Sequence, residues 1–177
     1  DFMVVIDVAM TETAMLADYV LPASSQYEKY EATFFPAEFP ENFFHLRKPM
    51  IEPKPGTLAE PEMHARLVEA LGVFNEGELD ALAEAARNGL DAYSAAMHEA
   101  MRGNPKIAQY LPYVLYRTLG PSLPDGAAAA AGLWGFCSRL AVSEPEALRA
   151  AGHVGEGPAL GNDLFNSILN SPSGLII

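Results

Sequence analysis

The first thirty residues constrain the fold more than any other stretch of the chain. Phe2, Met3, Val4, Val5 and Ile6 form an apolar run without alternation, the pattern of a strand covered on both faces within a parallel sheet. Asp7 ends that run, at the point where open α/β sheets meet their ligands, beyond the carboxyl ends of the strands. Thr11 then opens a helix. Its hydroxyl can cap free amides, Glu12 complements the positive end of the helix dipole, and Thr13 to Ala17 continue the turn. Tyr19 to Leu21 makes a second short strand, stopped by Pro22, which cannot donate to a central ladder. Ala23, Ser24 and Ser25 lead out along the surface to Glu28 and Lys29. The unit reads as a piece of a cofactor-binding α/β domain.

The remainder is mostly helical. Pro36, Pro40, Pro49, Pro53 and Pro55 make residues 36–58 a connecting arm with at most short edge strands. Helices are expected over 60–71, where Pro61 starts the helix and Gly72 stops it, and over 76–102, where Gly89 is a point of bending or interruption. Two more follow at 105–119 and 125–142, then a short one at 144–151 capped by Ser143. A glycine-rich link over 152–161 precedes a last helix near 162–169, and 173–177 looks like a strand cut short. The fold class is therefore α/β, a partial Rossmann-like parallel sheet unit with a large, mostly helical second part. The division runs 1–58 for the α/β unit and its arm, 59–159 for the helical region, and 160–177 for a helix and strand returning to the α/β unit.

Charge and motif content narrow the function classes. A net charge of −12 over 177 residues argues against duplex nucleic acid or an anionic membrane as partner, since both demand a basic surface. The longest apolar run, Ala127 to Cys137, is too short for a bilayer span and is soon followed by Arg139. The single cysteine, Cys137, sits among aromatic neighbours and reads as a small buried hydrophobe. His45, His64, His98 and His153 lack paired metal-ligand spacing. No Gly-x-Gly-x-x-Gly, Walker-type phosphate loop or Gly-x-Ser-x-Gly elbow is present. Tyr110, Tyr113, Tyr116, Trp134 and Phe136 at helical spacing read as packing rather than as a binding groove. Both termini read as internal to a longer chain.

The order apolar strand, Asp7, Thr11-Glu12-Thr13-Ala14, Ala17-Asp18, Val20-Leu21-Pro22, Glu28-Lys29 resembles a segment of the molybdopterin oxidoreductases of the dimethyl sulfoxide reductase family. The resemblance covers residues 1–35 and extends more weakly through Pro61 to Gly72. Many members follow the Glu-Lys pair with Gly-Thr, whereas this chain continues Glu31-Ala32-Thr33-Phe34-Phe35-Pro36. The aromatic-rich segment over 39–47 suggests an extended route of its own past the cofactor. The resemblance implies a fragment of a molybdenum or tungsten bis(molybdopterin guanine dinucleotide) oxidoreductase, similar to formate dehydrogenases and nitrate reductases. Any 4Fe-4S cluster and the metal ligand would lie outside this chain, so the fragment would not be catalytic alone. The implied partners are the remaining domains of the parent enzyme and an electron-transfer partner.

On that footing the candidate cofactor-binding residues are Ile6, Asp7, Lys29 and Glu62. Asp7 offers two acceptor oxygens whose spacing matches the N1–H and exocyclic amine of a guanine edge, with Ile6 adding backbone contacts, although satisfying the amides of its own loop is an alternative role. Lys29 can serve a pyrophosphate oxygen or a guanine carbonyl as a point charge, with a solvated surface lysine as the alternative. Glu62 matches an acidic residue that contacts a guanine dinucleotide in some members, although complementing the dipole of its own helix is an alternative role. Thr11, Glu12 and Thr13 fix the turn after Asp7. The competing reading is non-enzymatic: an acidic, helical protein-interaction module whose α/β start is only scaffold.

Overall fold

The computed structural model describes residues 1–33 and 43–176, with Asp125 described in its backbone alone. Strand β1 (Val4–Asp7) pairs in parallel with β2 (Tyr19–Pro22), in a register that sets Val4 beside Tyr19 and Asp7 beside Pro22. The sequence reading of an α/β chain with a small parallel sheet and a larger helical part holds. Its local details change in several places. The helix expected after Thr11 is a single 3₁₀ turn, Ala14–Leu16, because the connection is too short to return the chain beside β1 through a full helix. Pro22 ends β2 from within, where its missing N–H removes no bond to β1.

β1 is also more open than its composition suggests. Phe2 is 71% exposed, Val4 46% and Tyr19 62%, so within this chain the parallel pair is not covered on both faces. Beyond β2 the backbone continues into a short third contact. Leu58 donates to the Pro22 carbonyl at 3.1 Å and accepts from the Ser24 amide at 2.9 Å. The arm thus returns along the outer side of β2.

Residues 39–42 of the aromatic-rich segment lie outside the described residues. The rest of it forms β4 (Phe43–Phe44) and β5 (Leu46–Arg47), the latter antiparallel to β3 (Glu31–Ala32). The C-terminal strand β6 (Leu175–Ile176) pairs antiparallel with β4.

The helical part opens with α1 (Glu60–Ala70), which has Pro61 in its first turn and is followed by Gly72 at φ 63°. The long helix expected over 76–102 is two, α2 (Asp80–Arg87) and α3 (Leu90–Gly103). Gly89 adopts φ 101° between them, a conformation that L side chains avoid and that ends a right-handed helix. The next expected helix is likewise split at Tyr110 into α4 (Pro105–Gln109) and α5 (Leu111–Thr118). A 3₁₀ segment, Pro124–Ala130, leads into α6 (Ala131–Ser143). Ser143 belongs to the last turn of α6, and Glu144 instead precedes α7 (Pro145–Ala150). Helix α8 starts at Pro158, inside the stretch read as a link, and runs to Asn170.

The core lies among α3, α5, α6 and α8, around Tyr93, Met97, Val114, Cys137, Leu164 and Phe165. Asn162 locks it: its Nδ2 donates to Asp91 Oδ1 at 2.8 Å, and its Oδ1 accepts from Trp134 Nε1 at 2.9 Å. A buried amide satisfied from two other helices fixes their mutual register, since a shift would leave it unpaired. Cys137 sits fully inside, and burial pushes its thiol up to about 12, which leaves it inert as a nucleophile. Among the described residues no helix is long and apolar enough to cross a membrane.

Candidate functional site

Asp7 stands at the carboxyl end of β1, and its backbone carbonyl extends the ladder by accepting from Ala23 N at 3.0 Å. Its side chain closes the turn that follows. Oδ1 accepts from Ala9 N and Oδ2 from the Thr11 hydroxyl, each at 3.2 Å, while Thr11 Oγ1 accepts from Ala14 N at 3.3 Å. Thr11 thus holds both the aspartate and the 3₁₀ turn. An ionised carboxylate has roughly four acceptor positions, so each Asp7 oxygen retains room for a second donor. Ile6 is half-buried. In a parallel ladder alternate residues direct their amide and carbonyl to the same neighbour; Met3 and Asp7 carbonyls face β2, so those of Ile6 face the opposite side.

Lys29 and Glu62 come together elsewhere, on the walls of one cleft of about 540 Å³ between the exit from β2, the arm and α5. That volume suits a small organic ligand. Ser24, Thr57 and Tyr116 share its lining, whereas Ile6 and Asp7 do not. Both charged candidates are already engaged. Lys29 Nζ donates to Glu60 Oε1 at 2.5 Å and Oε2 at 2.6 Å, with only 13% of its side chain exposed. It also lines a second cleft of about 470 Å³ with Tyr30 and Ala129, so the Lys29–Glu60 pair stands at the junction of the two.

Glu62 is held more firmly. Arg117 reaches across from α5, with Nη1 at 2.7 Å from Glu62 Oε2 and Nε at 2.7 Å from Glu69 Oε1, and Arg66 Nε lies 2.7 Å from Glu62 Oε1. Burial pushes the Glu62 carboxyl upward, but hydrogen bonds from Arg117, Arg66 and Tyr116 outweigh it and hold it at about 2. Burial lowers the Arg117 guanidinium, and its bonds to Glu69 and Glu62 outweigh that and raise it.

Glu60 and Arg117 were not singled out from sequence, and Glu28 was noted there only as the neighbour of Lys29, with no role of its own. Glu28 is 6% exposed, and its oxygens accept from Ser25 N at 2.7 Å and Lys54 N at 2.9 Å. The backbone amide of Ser25, foremost, lowers its pKa. Glu28 therefore ties the exit turn to the arm and shapes the cleft floor. The i, i+4, i+7 spacing of Glu62, Arg66 and Glu69 puts two acids on one face of α1, a visible signal for a bridging cation; Arg117 itself has no local signal. Among the described residues no cluster of three His, Cys, Asp or Glu side chains could hold a metal ion.

Comparison with known proteins gives one partial likeness. The chain is 38% identical over 78 residues to a protein described as a probable oxidoreductase, YoaE, of Bacillus subtilis (strain 168). The match takes in 44% of this chain and 11% of that protein, so the chain spans a small part of its relative's length. No family model matches the chain, and no solved structure does. The likeness supports a link to oxidoreductases at that general level.

Proposed function

We propose that this chain forms part of the wall that holds a guanine dinucleotide arm of a bis(molybdopterin guanine dinucleotide) cofactor in a larger molybdenum or tungsten oxidoreductase. The observation that carries the reading is Asp7: a carboxylate at the carboxyl end of a parallel strand, fixed by its own turn, with acceptor capacity left on both oxygens. The likeness to a probable oxidoreductase supports the class.

The residues fit the group unevenly. Asp7 takes the paired N–H donors of the guanine edge, and the Ile6 carbonyl beside it supplies a backbone acceptor. Lys29 spends two donors on Glu60 and keeps one for a carbonyl or phosphate oxygen. Glu62 serves chiefly by holding the cleft wall in place through Arg117, since its oxygens already receive guanidinium bonds. With acids Glu28, Glu52 and Glu62 on its lining, the cleft beside Lys29 suits hydroxyl donors such as those of a ribose better than phosphates. The metal and its dithiolene ligands supply the redox chemistry when bound, and this chain's residues orient the cofactor.

The test is the guanine dinucleotide content of the intact protein carrying Asp7→Ala, with Asp7→Asn retaining one acceptor for the turn. Asp7→Ala loses most of its nucleotide relative to the unaltered protein, and Asp7→Asn loses an intermediate share. Unchanged content in Asp7→Ala rejects the assignment.

A further inference from the structure

Among the described residues, Lys29 is the one basic side chain on the lining of either cleft beside it. What that charge can attract is set by its neighbours. Glu60, in the first turn of α1 next to Pro61, turns both carboxylate oxygens to Lys29 Nζ, at 2.5 and 2.6 Å. It lines the second cleft and not the first, so the pair is made from the far side of the ammonium. The N–H that Lys29 keeps is left for the first cleft.

The acids of the first cleft are committed elsewhere. Glu62 takes guanidinium bonds from Arg117 and Arg66, and Glu28 takes the Ser25 and Lys54 amides. Glu52 is exposed, where water and salt screen it. Glu60 is thus the group that cancels the charge of Lys29, whose side chain is only 13% exposed. A shielded ammonium that loses its carboxylate is left as an uncompensated charge, and it recruits an anion that can reach it.

We infer that Glu60 is a positioning residue that decides what Lys29 binds. It keeps the ammonium paired, so the cleft turns phosphate away, and Lys29 gives its remaining N–H to an uncharged oxygen, a carbonyl or a ribose hydroxyl. The inference rests on the reading of Lys29 as a cofactor-binding residue and narrows it, since an unpaired point charge would favour the pyrophosphate. Lys29 and Glu60 therefore act as one unit: the acid sets the ligand chemistry and the lysine makes the contact.

The experiment titrates inorganic pyrophosphate into the intact protein, prepared without cofactor, by isothermal calorimetry. Glu60→Gln keeps the size of the side chain and removes its charge, and Lys29→Met in the same protein removes the cation. Glu60→Gln is expected to bind pyrophosphate at least tenfold more tightly than the unaltered protein, and the double variant returns to the unaltered level. A merely structural Glu60 gives no gain that depends on Lys29. Equal affinity in the unaltered protein and Glu60→Gln, or binding by neither, overturns the inference, as does a gain that survives Lys29→Met. Urea unfolding checks that each variant is folded, and Glu60→Ala, which also removes the charge, takes the place of Glu60→Gln if that variant is not. Guanine dinucleotide content is read separately: if Asp7→Ala keeps its nucleotide while Glu60→Gln gains pyrophosphate, the proposed function falls and the role of Glu60 stands.

Discussion

Arg117 converts a candidate ligand residue into a brace between helices. It bonds Glu62 and Glu69 on α1 from its own place on α5, and charge-assisted bonds of this kind are worth more than neutral ones when partly shielded from water. Arg117→Met is expected to lower stability by about 1–2 kcal/mol at neutral pH, read from urea unfolding. The pH dependence follows from Glu62. Its carboxyl stands at about 2 in the folded chain against an ordinary 4.5, so the unfolded chain binds its proton first as pH falls. The stabilisation is complete above about 4.5 and is lost as pH falls from there through about 2. In Arg117→Met that acid-side loss becomes shallower; an unchanged slope would show that the clamp does not set the Glu62 pKa. Asp7 was legible in sequence because its partners, Ala9 and Thr11, are two and four residues away. Glu60, the partner of Lys29, and Arg117, which clamps Glu62, lie 31 and 55 residues away, and no local pattern names them; only Arg66, four residues from Glu62, is a local partner.

Between elements, small residues decide how closely the helices approach. A Cβ on Gly161 of α8 would lie 3.0 Å from Ser138 Cα and 3.1 Å from the Cys137 carbonyl of α6. Those are backbone atoms, which cannot yield as a flexible side chain would. Gly161→Ala therefore pushes the two helices apart at the centre of the core, and we expect a loss of about 1–3 kcal/mol, measured by thermal or urea unfolding. A loss below a few tenths would mean that α8 slides without consequence, against the Asn162 bonds to Asp91 and Trp134. Helix existence was well marked along the chain, since apolar spacing, Pro61 and Gly72 act locally. Helix length was not. The apolar stripe over 76–102 continues through Gly89, yet the positive φ there divides α2 from α3. The stretch after Thr11 has good helix formers but makes only one 3₁₀ turn, because pairing β2 with β1 limits the connection.

The whole molecule has two levels of burial. Tyr93 and Phe165 are wholly enclosed, whereas the β1–β2 pair is exposed at Phe2 and Tyr19. Segments with few buried apolar contacts open at lower free energy than the core. Chymotrypsin is accordingly expected to cut after Tyr19 before it cuts after Tyr93 or Phe165, whose cleavage requires global unfolding, as followed by mass spectrometry; early cleavage within α3 or α8 would contradict that order. The sequence by itself determined the α/β class, the strand ending in Asp7, the turn that holds that aspartate and the presence of the major helices. Each depends on residues within one or two turns of one another. Only the tertiary structure decided that Lys29 meets Glu60, that Glu62 is clamped by Arg117, and that the cleft they share is separate from Asp7. Those outcomes come from charges and backbone brought together across tens of residues, where the packing of α1 on α5 and the return of the arm along β2 choose the partners. The apolar strand behaved the same way: its composition specified a buried interior, and the fold of this chain left one side of it open.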